Sequence, residues 1–192
     1  NKFSQYRGPD NTNIVSYENI QFLHNLLHLT GEITTQPFYK NNIAVVFNGE
    51  IYNYLELKEE LISNGYKFSS SSDTEVVLKA YDCWGENCLN KFNGMWSFVI
   101  WDNKKKSIFT SNDRFGVKPL YYYKSTDTII YSSEIKQFTF FNEIDFSINI
   151  KNCDLFLNHG YQPLDKTTYF KSINRFPNGS FLFFNYENLN NN

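Results

Sequence analysis

The sequence has 192 residues, of which 41% are hydrophobic and 19% aromatic, so it is long enough to form one globular domain with a sizeable core. Lysine and arginine number 18 against 20 aspartate and glutamate residues. This formal net charge of −2, without a basic stripe, argues against a nucleic-acid partner. No apolar run approaches the roughly 18 residues of a membrane span, and the polar start, Asn1–Gln5, is not typical of a signal peptide.

The three cysteines are Cys83, Cys88 and Cys153, and they show neither CxxC nor Cys/His metal spacing. This pattern argues against a disulfide framework and against a zinc site. A reducing cytoplasm is therefore the predicted location. The first residue is Asn1 and not Met, which is typical of a fragment or a processed product.

The first predicted element in chain order is a strand over Ile20–Leu29. It follows a turn cluster, Arg7–Asp10, and a polar stretch, Asn11–Asn19, for which no element is predicted. His24 and His28 lie inside the predicted strand on the same side. Without a third ligand of suitable spacing they are predicted to be hydrogen-bonded histidines and not a metal pair.

The next strand is predicted over Ile43–Phe47 and is expected to stop at a sharp turn formed by Asn48 and Gly49. Two interpretations of this turn are open. The Asn48 side-chain amide and the Gly49 backbone N–H could converge on the anionic tetrahedral intermediate of an acyl transfer. Alternatively, Asn and Gly could be there for conformational reasons alone, as in many tight turns.

Two helices are predicted after this turn. Asn53 with Glu56 three residues later forms an N-cap pattern, and Gly65 provides the stop signal of the first helix. Ser72 with Glu75 repeats the S-x-x-E capping box at the start of the second helix.

Asp73 falls in the first turn of this second helix, where two explanations are open. A carboxylate at this position is favoured by the helix dipole alone. It could also pair with a substrate ammonium at the rim of a pocket.

In the remainder of the chain, a short helix is predicted around Cys88, which is expected to pack as a small apolar residue. Mainly strands are predicted after it. The predicted strands are Met95–Trp101, Ser107–Ser111, Leu120–Tyr123, Thr128–Ser132 and Phe181–Tyr186, and the later short helices are Glu134–Phe138 and Cys153–His159. Because helices and strands occur in blocks, the fold class predicted is α+β, with helices layered on sheets.

Six motifs, taken in their order and spacing, carry a family resemblance. They are Arg7–Asp10 (RGPD), Thr34–Pro37 (TTQP), Phe47–Asn53 (FNGEIYN), Ser72–Glu75 (SDTE), Phe92–Met95 (FNGM) and Asp113–Tyr122 (DRFGVKPLYY). Together they resemble the glutaminase domain of glutamine-hydrolysing asparagine synthetases, from about Gln5 to Phe184.

The resemblance implies a class II glutamine amidotransferase with the four-layer αββα sandwich of N-terminal-nucleophile hydrolases. In that family a cysteine stands at the mature N-terminus, where its own α-amine can serve as base. Because no such cysteine occurs here, the nucleophile is expected upstream of Asn1, and the chain is expected to lack the first strand of the sandwich. The domain would cover residues 1–187, with 188–192 beginning a linker to an absent synthetase domain.

The resemblance also assigns site residues. Asn48 and Gly49 would form the oxyanion hole, Glu50 and the Gly49 backbone would contact glutamine, and Asp73 would bind its α-ammonium. No metal site is implied in this domain.

One departure from the family concerns the α-carboxylate of glutamine. Typical members carry a clamping arginine where this chain has Leu26. Another donor, such as His28 or an upstream group, would have to replace it, and Leu26, His28 and Thr30 are the further substrate-binding candidates. Asp113 and Arg114 match the family signature and are expected to order their loop.

The function implied is hydrolysis of glutamine to glutamate and ammonia, for ATP-dependent amidation of aspartate or a related carboxylate. This domain would need no cofactor, whereas the synthetase domain would use ATP and magnesium. The partners implied are glutamine, that C-terminal domain and a second subunit of a homodimer. Residues 1–192 alone are expected to be inactive. The alternative is a catalytically degenerate scaffold or docking domain of the same fold.

Overall fold

The computed structural model describes residues 4–17, 19–27, 34–161 and 165–185. Within these ranges the chain forms α-helices, β-strands and three short 3-10 helices. The strands are β1 (Asn11–Tyr17), β2 (Ile20–Leu26), β3 (Phe38–Lys40), β4 (Ile43–Ile51), β5 (Gly94–Asp102), β6 (Ser107–Asn112), β7 (Tyr121–Lys124), β8 (Ile129–Ser132), β9 (Ile173–Arg175) and β10 (Phe181–Asn185). The α-helices are α1 (Tyr54–Ser63), α2 (Asp73–Trp84) and α3 (Ile150–His159), and the 3-10 helices are Gln5–Arg7, Gly85–Asn90 and Ile135–Phe140.

The strands form three antiparallel sheets. The largest has five strands in the order β10-β6-β5-β4-β3, and its centre is the nine-residue pairing of β4 with β5. The hairpin β1-β2 forms a second sheet, and β8-β7-β9 a third. The predicted mixture of α and β structure is therefore confirmed.

Helices α1 and α2 cover one face of the five-stranded sheet. Their buried side chains, Leu57 and Leu61 from α1 and Val77 from α2 among them, pack against Phe47 and Phe98 of the sheet. Successive side chains of a strand point to opposite faces of a sheet. Phe47 and Phe98 therefore face the helices, and the residues next to them in sequence face the other side.

The opposite face of the same sheet is covered by the two small sheets. Phe22 of β2 packs with Ala44, Val99 and Trp101 of the five-stranded sheet, and Tyr131 of β8 packs against the same cluster. The five-stranded sheet is thus sandwiched between a helical layer and a second β layer.

One strand was missed from the sequence, and the end of another was predicted wrongly. Asn11–Tyr17 is a strand, β1, although the stretch is polar, because most of its side chains face solvent while its backbone pairs fully with β2. Asn48 and Gly49 do not form a turn either. Strand β4 continues through them to Ile51 because Asn48 pairs with Ser97 and Gly49 with Trp96.

The predicted cap of α1 is not observed, and that of α2 is observed in part. The Asn53 side chain does not cap α1; it bonds to the backbone of Lys91 and Asn93 instead. Ser72 caps α2 as predicted, by accepting from Thr74 N–H. Glu75 turns away from the cap and binds the preceding loop.

Other predictions are confirmed. Cys88 is fully buried in a 3-10 helix. Asp113 orders its loop, because its carboxylate accepts hydrogen bonds from the N–H groups of Phe115, Val117 and Lys118. Arg114 donates to the Phe92 carbonyl.

Among the described residues, no helix is long and apolar enough to cross a membrane. The same residues contain no group of three or more His, Cys, Asp and Glu side chains that could hold a metal ion. His28, Thr30 and the linker expected over residues 188–192 lie outside the described ranges.

Candidate active site

A cleft of about 1670 Å³ lies between the two small sheets, above the five-stranded sheet. Its walls come from β2 on one side and β8 on the other, and its floor from β4 and β5. In the described part of the chain, β2 and β8 are each the edge strand of their own sheet. The cleft is therefore bordered by two strand edges that can still accept a hydrogen-bonding neighbour.

The strand alternation of β4 sends alternate side chains to the cleft. Phe47 and Ile51 are buried in the core beneath the helices. Asn48 and Glu50 occupy the intervening positions, so their side chains are directed to the opposite face, where both line the cleft. An amide and a carboxylate are thus presented side by side on the cleft floor.

The backbone of β4 has a half-open edge beside the cleft, because β3 pairs only with Ile43–Val45. Beyond that point, the Phe47 N–H donates to Gln36 Oε1 at 2.7 Å, and the Ile51 N–H donates to Asp73 Oδ2 at 3.1 Å. Gly49 lies midway between them. Because N–H groups alternate in direction along a strand, its N–H points to the same open edge.

Glycine is required at position 49 by packing. A Cβ atom there would lie 2.3 Å from the Met95 carbonyl oxygen and 2.8 Å from Trp96 Cα, both of them backbone atoms of the paired strand. Such contacts cannot be relieved by a side-chain rotation. Gly49 therefore allows β4 and β5 to stay in register directly under the cleft.

Asp73 is the first residue of α2, half-buried at the cleft beside the end of β4. Burial raises the pKa of its carboxyl group, and the nearby Glu50 carboxylate acts in the same direction. Hydrogen bonds from the Ile51 and Thr74 amides oppose this shift. The site thus holds a partly desolvated carboxylate, which an approaching cation would stabilise.

The opposite wall of the cleft is less polar than the resemblance would require. Leu26, at the end of β2, lines the cleft with a half-buried apolar side chain. His24 lies two residues earlier, and burial lowers its pKa to about 4, so its imidazole is neutral near pH 7. Neither Leu26 nor His24 therefore supplies a positive charge to this wall of the cleft at neutral pH.

The thiols of this chain are placed elsewhere. Cys83, Cys88 and Cys153 are absent from the described lining of the cleft. Burial raises the pKa of the Cys88 thiol to about 12, which keeps it protonated and unreactive.

A polar clasp of five residues closes one side of the cleft, and the sequence did not predict it. Ser4 Oγ accepts a hydrogen bond from Asn25 of β2 and another, at 2.6 Å, from Gln137 beyond β8. Arg7 forms an ion pair with Glu134 at 2.7 Å. The clasp joins residues more than 120 positions apart in the sequence. Patterns among neighbouring residues cannot indicate contacts of this kind.

The cleft thus gathers Leu26, Asn48, Gly49, Glu50 and Asp73, five of the residues predicted from the sequence. Gln36 also lines it and was missed as a site residue. Its position before Pro37 in the TTQP motif was the available signal. The arrangement places the Asn48 side-chain amide, the Gly49 backbone and the Asp73 carboxylate in one cleft.

Comparisons with known proteins agree on one family. A profile of the glutamine amidotransferase domain matches residues 2–192. A protein of Methanocaldococcus jannaschii, named among the glutamine-hydrolysing asparagine synthetases, is 37% identical over 193 residues and is matched by 88% of this chain. Asparagine synthetase 3 of Bacillus subtilis, also named as glutamine-hydrolysing, is 33% identical over 189 residues, with 96% of this chain matched.

The chain spans 37% and 31% of the lengths of these two relatives. Among solved structures, the glutamine phosphoribosylpyrophosphate amidotransferase of B. subtilis superposes with a TM-score of 0.51 and 28% identity. That match covers 61% of this chain and 28% of the other. The chain therefore belongs to the glutamine amidotransferase domain family and is homologous to the glutaminase domains of asparagine synthetases.

Proposed function

We propose that this domain hydrolyses glutamine and that Asn48, Gly49, Glu50 and Asp73 form its substrate site. The observation that carries the proposal is the open edge of β4. The amides of Phe47 and Ile51 are already bonded to side chains, and the Gly49 N–H lies between them beside the cleft.

In the proposed reaction, a cysteine thiolate attacks the side-chain amide carbon of glutamine. The carbonyl π electrons move to oxygen, where the Asn48 side-chain amide and the Gly49 N–H stabilise the negative charge. The C–N bond then breaks, and the leaving nitrogen takes up a proton and departs as ammonia. Water hydrolyses the resulting thioester to glutamate and restores the thiol.

The nucleophile is proposed to come from a segment upstream of Asn1, since the three cysteines of this chain lie away from the described cleft lining. That segment would form the opening strand of a four-layer αββα sandwich and would lie between β2 and β8. The two strand edges beside the cleft support this position. Its own α-amine would act as the base for the thiol.

The substrate would be oriented by its amino-acid group. The Asp73 carboxylate would pair with the α-ammonium, because its two oxygens have acceptor capacity left beyond the bonds from the Ile51 and Thr74 amides. With Leu26 on the facing wall, the α-carboxylate would need donors from His28, Thr30 or the upstream segment.

For the whole protein, we propose transfer of the ammonia to a C-terminal domain that amidates aspartate or a related carboxylate with ATP and magnesium. Residues 188–192 would begin the linker to that domain, in a cytoplasmic enzyme that forms homodimers. The names of the relatives, as glutamine-hydrolysing asparagine synthetases, support this assignment.

The test is to express the complete reading frame that contains residues 1–192 and to measure glutamate release from glutamine. Labelling by an electrophilic glutamine analogue, mapped by mass spectrometry, should fall on a cysteine upstream of Asn1. A reading frame without such a cysteine, or a complete protein that releases no glutamate, would overturn the proposal.

A second candidate is a domain that keeps the fold as a scaffold and hydrolyses nothing. The apolar Leu26 in the cleft wall favours it, because an arginine clamp for the α-carboxylate is then missing. Introducing a positive charge with Leu26→Arg in the complete protein distinguishes a glutaminase from a scaffold. A glutaminase should respond with a lower KM for glutamine, whereas a scaffold should stay inactive.

A further inference from the structure

Gln36 makes two hydrogen bonds that connect the two sides of the proposed site. Its side chain is nearly inaccessible, with 7% of the residue exposed. Oε1 accepts from the Phe47 N–H of β4 at 2.7 Å, and Nε2 donates to Thr74 Oγ1 of α2 at 3.4 Å. One planar amide thus spans the gap between a strand and a helix.

The residues at its two ends are close neighbours of the proposed site residues. Phe47 is two positions before Gly49 on the open edge of β4. Thr74, itself buried, directly follows Asp73 in the first turn of α2. A side chain that holds Phe47 and Thr74 at a fixed separation also holds Gly49 and Asp73 at a fixed separation.

The backbone gives a reason why a side chain is needed here. Strand β3 begins at Phe38, which pairs with Val45, so β3 does not reach the part of β4 beyond Val45. Gln36 lies just before β3 and replaces the missing strand partner at Phe47. The second such link is the bond from Ile51 N–H to Asp73.

We propose that Gln36 is a positioning residue that sets the distance between the carbonyl-binding edge at Gly49 and the ammonium-binding carboxylate of Asp73. This inference rests on the proposed function and adds a determinant of substrate length to it. The two groups bind opposite ends of the substrate. A fixed distance between them selects glutamine over asparagine, which is one methylene shorter.

The test uses the complete protein with three variants. Gln36→Met keeps the size of the side chain and removes both hydrogen bonds. Thr74→Val removes only the bond to α2. Asn152→Leu is the control, because Asn152 is equally buried but bonds to Thr167 and Thr168, away from the cleft lining.

The primary measurement is the ratio of kcat/KM for glutamine to kcat/KM for asparagine, together with the unfolding midpoint. Gln36→Met should lower kcat/KM for glutamine on the order of 100-fold, the cost of a displacement near 1 Å. Its glutamine-to-asparagine ratio should fall roughly tenfold or more. Thr74→Val should shift the ratio in the same direction, and Asn152→Leu should lower stability with the ratio unchanged.

Hydrogen exchange provides a second readout that does not depend on turnover. In Gln36→Met the Ile51 amide should exchange faster than in the parent, although Gln36 does not contact it, because α2 and β4 are no longer held together. The Asn152→Leu control should leave Ile51 exchange unchanged.

The outcomes separate the two proposals. A parent that releases no glutamate overturns the proposed function and the length selection with it. An active parent whose Gln36→Met variant loses only stability, with the substrate ratio and Ile51 exchange unchanged, overturns the positioning role alone.

Discussion

At the scale of single residues, Asp73 has opposing effects on binding and on folding. Its carboxylate is partly desolvated and lies near Glu50, which raises its pKa above the ordinary value of 3.8. At neutral pH the folded protein therefore holds a charge that water would solvate better. Such a residue is typical of a binding site, because a ligand cation relieves the cost that folding imposes.

The first prediction follows from this pKa. Asp73→Asn keeps an acceptor for the Ile51 N–H and removes the desolvated charge, so it should increase the free energy of unfolding by about 0.5 kcal/mol near pH 7. Because a raised pKa means that the folded state binds the proton more tightly, wild-type stability recovers as pH falls through the folded-state pKa. The gain of the variant should thus disappear below about pH 4. Urea unfolding at several pH values measures it, and a variant less stable at pH 7 would contradict it.

A second prediction separates Asp73 from Asn48 kinetically. In the complete protein, Asp73→Asn should mainly raise KM for glutamine, since it weakens a contact to a group that does not react. Asn48→Ala should mainly lower kcat by roughly a hundredfold or more, the usual cost of one oxyanion donor. Steady-state glutamate release decides between them. An unchanged KM in Asp73→Asn would reduce Asp73 to a residue that only supports the start of α2.

At the scale of elements, strand β4 explains what the sequence could and could not predict. Donor chemistry singled out Asn48 and Gly49 as one of two interpretations, and the family resemblance added Glu50. The structure brings all three into one cleft with Asp73. Their backbone was predicted wrongly, because Asn-Gly usually marks a turn and the pairing with β5 that overrides this preference is a long-range contact. The family signature identified Asp113, whose carboxylate accepts three bonds within its own loop and one from Trp96 of β5. Gln36, whose partners are 11 and 38 residues away, was missed.

The third prediction concerns Gly49 within that strand. Gly49→Ala should destabilise the fold by about 1–3 kcal/mol, because its Cβ meets the backbone of Met95 and Trp96 and the strands must separate. Activity of the complete protein should be lost with it. Gly65→Ala is the control, since a Cβ there meets nothing within 4 Å and only its left-handed backbone, with φ +90°, is strained. It should lose stability without losing glutaminase activity; equal activity in both variants would exclude a role for the β4 edge.

The fourth prediction concerns how α2 is held in place. Glu75 is fully buried in α2, forms an ion pair with Lys79 at 2.6 Å and accepts hydrogen bonds from Ser69 and Ser70. Burial alone would raise its pKa, but the bonds from Lys79, Ser70 and Ser69 outweigh this and lower the pKa from 4.5 to about 2. Glu75→Gln should destabilise the protein by about 3 kcal/mol or more, since it leaves the buried Lys79 ammonium without its carboxylate partner.

The sign of the pH dependence follows from the lowered pKa. The contribution of Glu75 is complete above about pH 4.5 and is lost as pH falls toward 2, so the difference between wild type and Glu75→Gln should close over that range. Chemical denaturation at pH 7, 4 and 2.5 measures it. The exposed Glu56→Gln in α1 is the control and should change stability by less than about 0.5 kcal/mol. A constant difference at all three pH values would contradict the assigned pKa.

At the scale of the whole molecule, the β layer on the cleft side is divided into two small sheets. The fifth prediction is that residues 1–192 alone release no glutamate, whereas the chain extended upstream is active and more stable. Added strand pairing at β2 and β8 would be the reason. Thermal unfolding of both lengths, with glutamate release, measures it. As a control, an upstream segment whose cysteine is changed to serine should restore stability without activity.

The polar clasp also affects how the protein should be handled. Ser4 lies on the rim of the cleft, tied to Asn25 and Gln137 on its two sides. An affinity tag or fluorescent fusion attached ahead of Ser4 would therefore be joined close to a residue that lines the cleft. The last described residues, in β10, lie instead at the edge of the five-stranded sheet and do not line the cleft, so a label introduced there is the better choice.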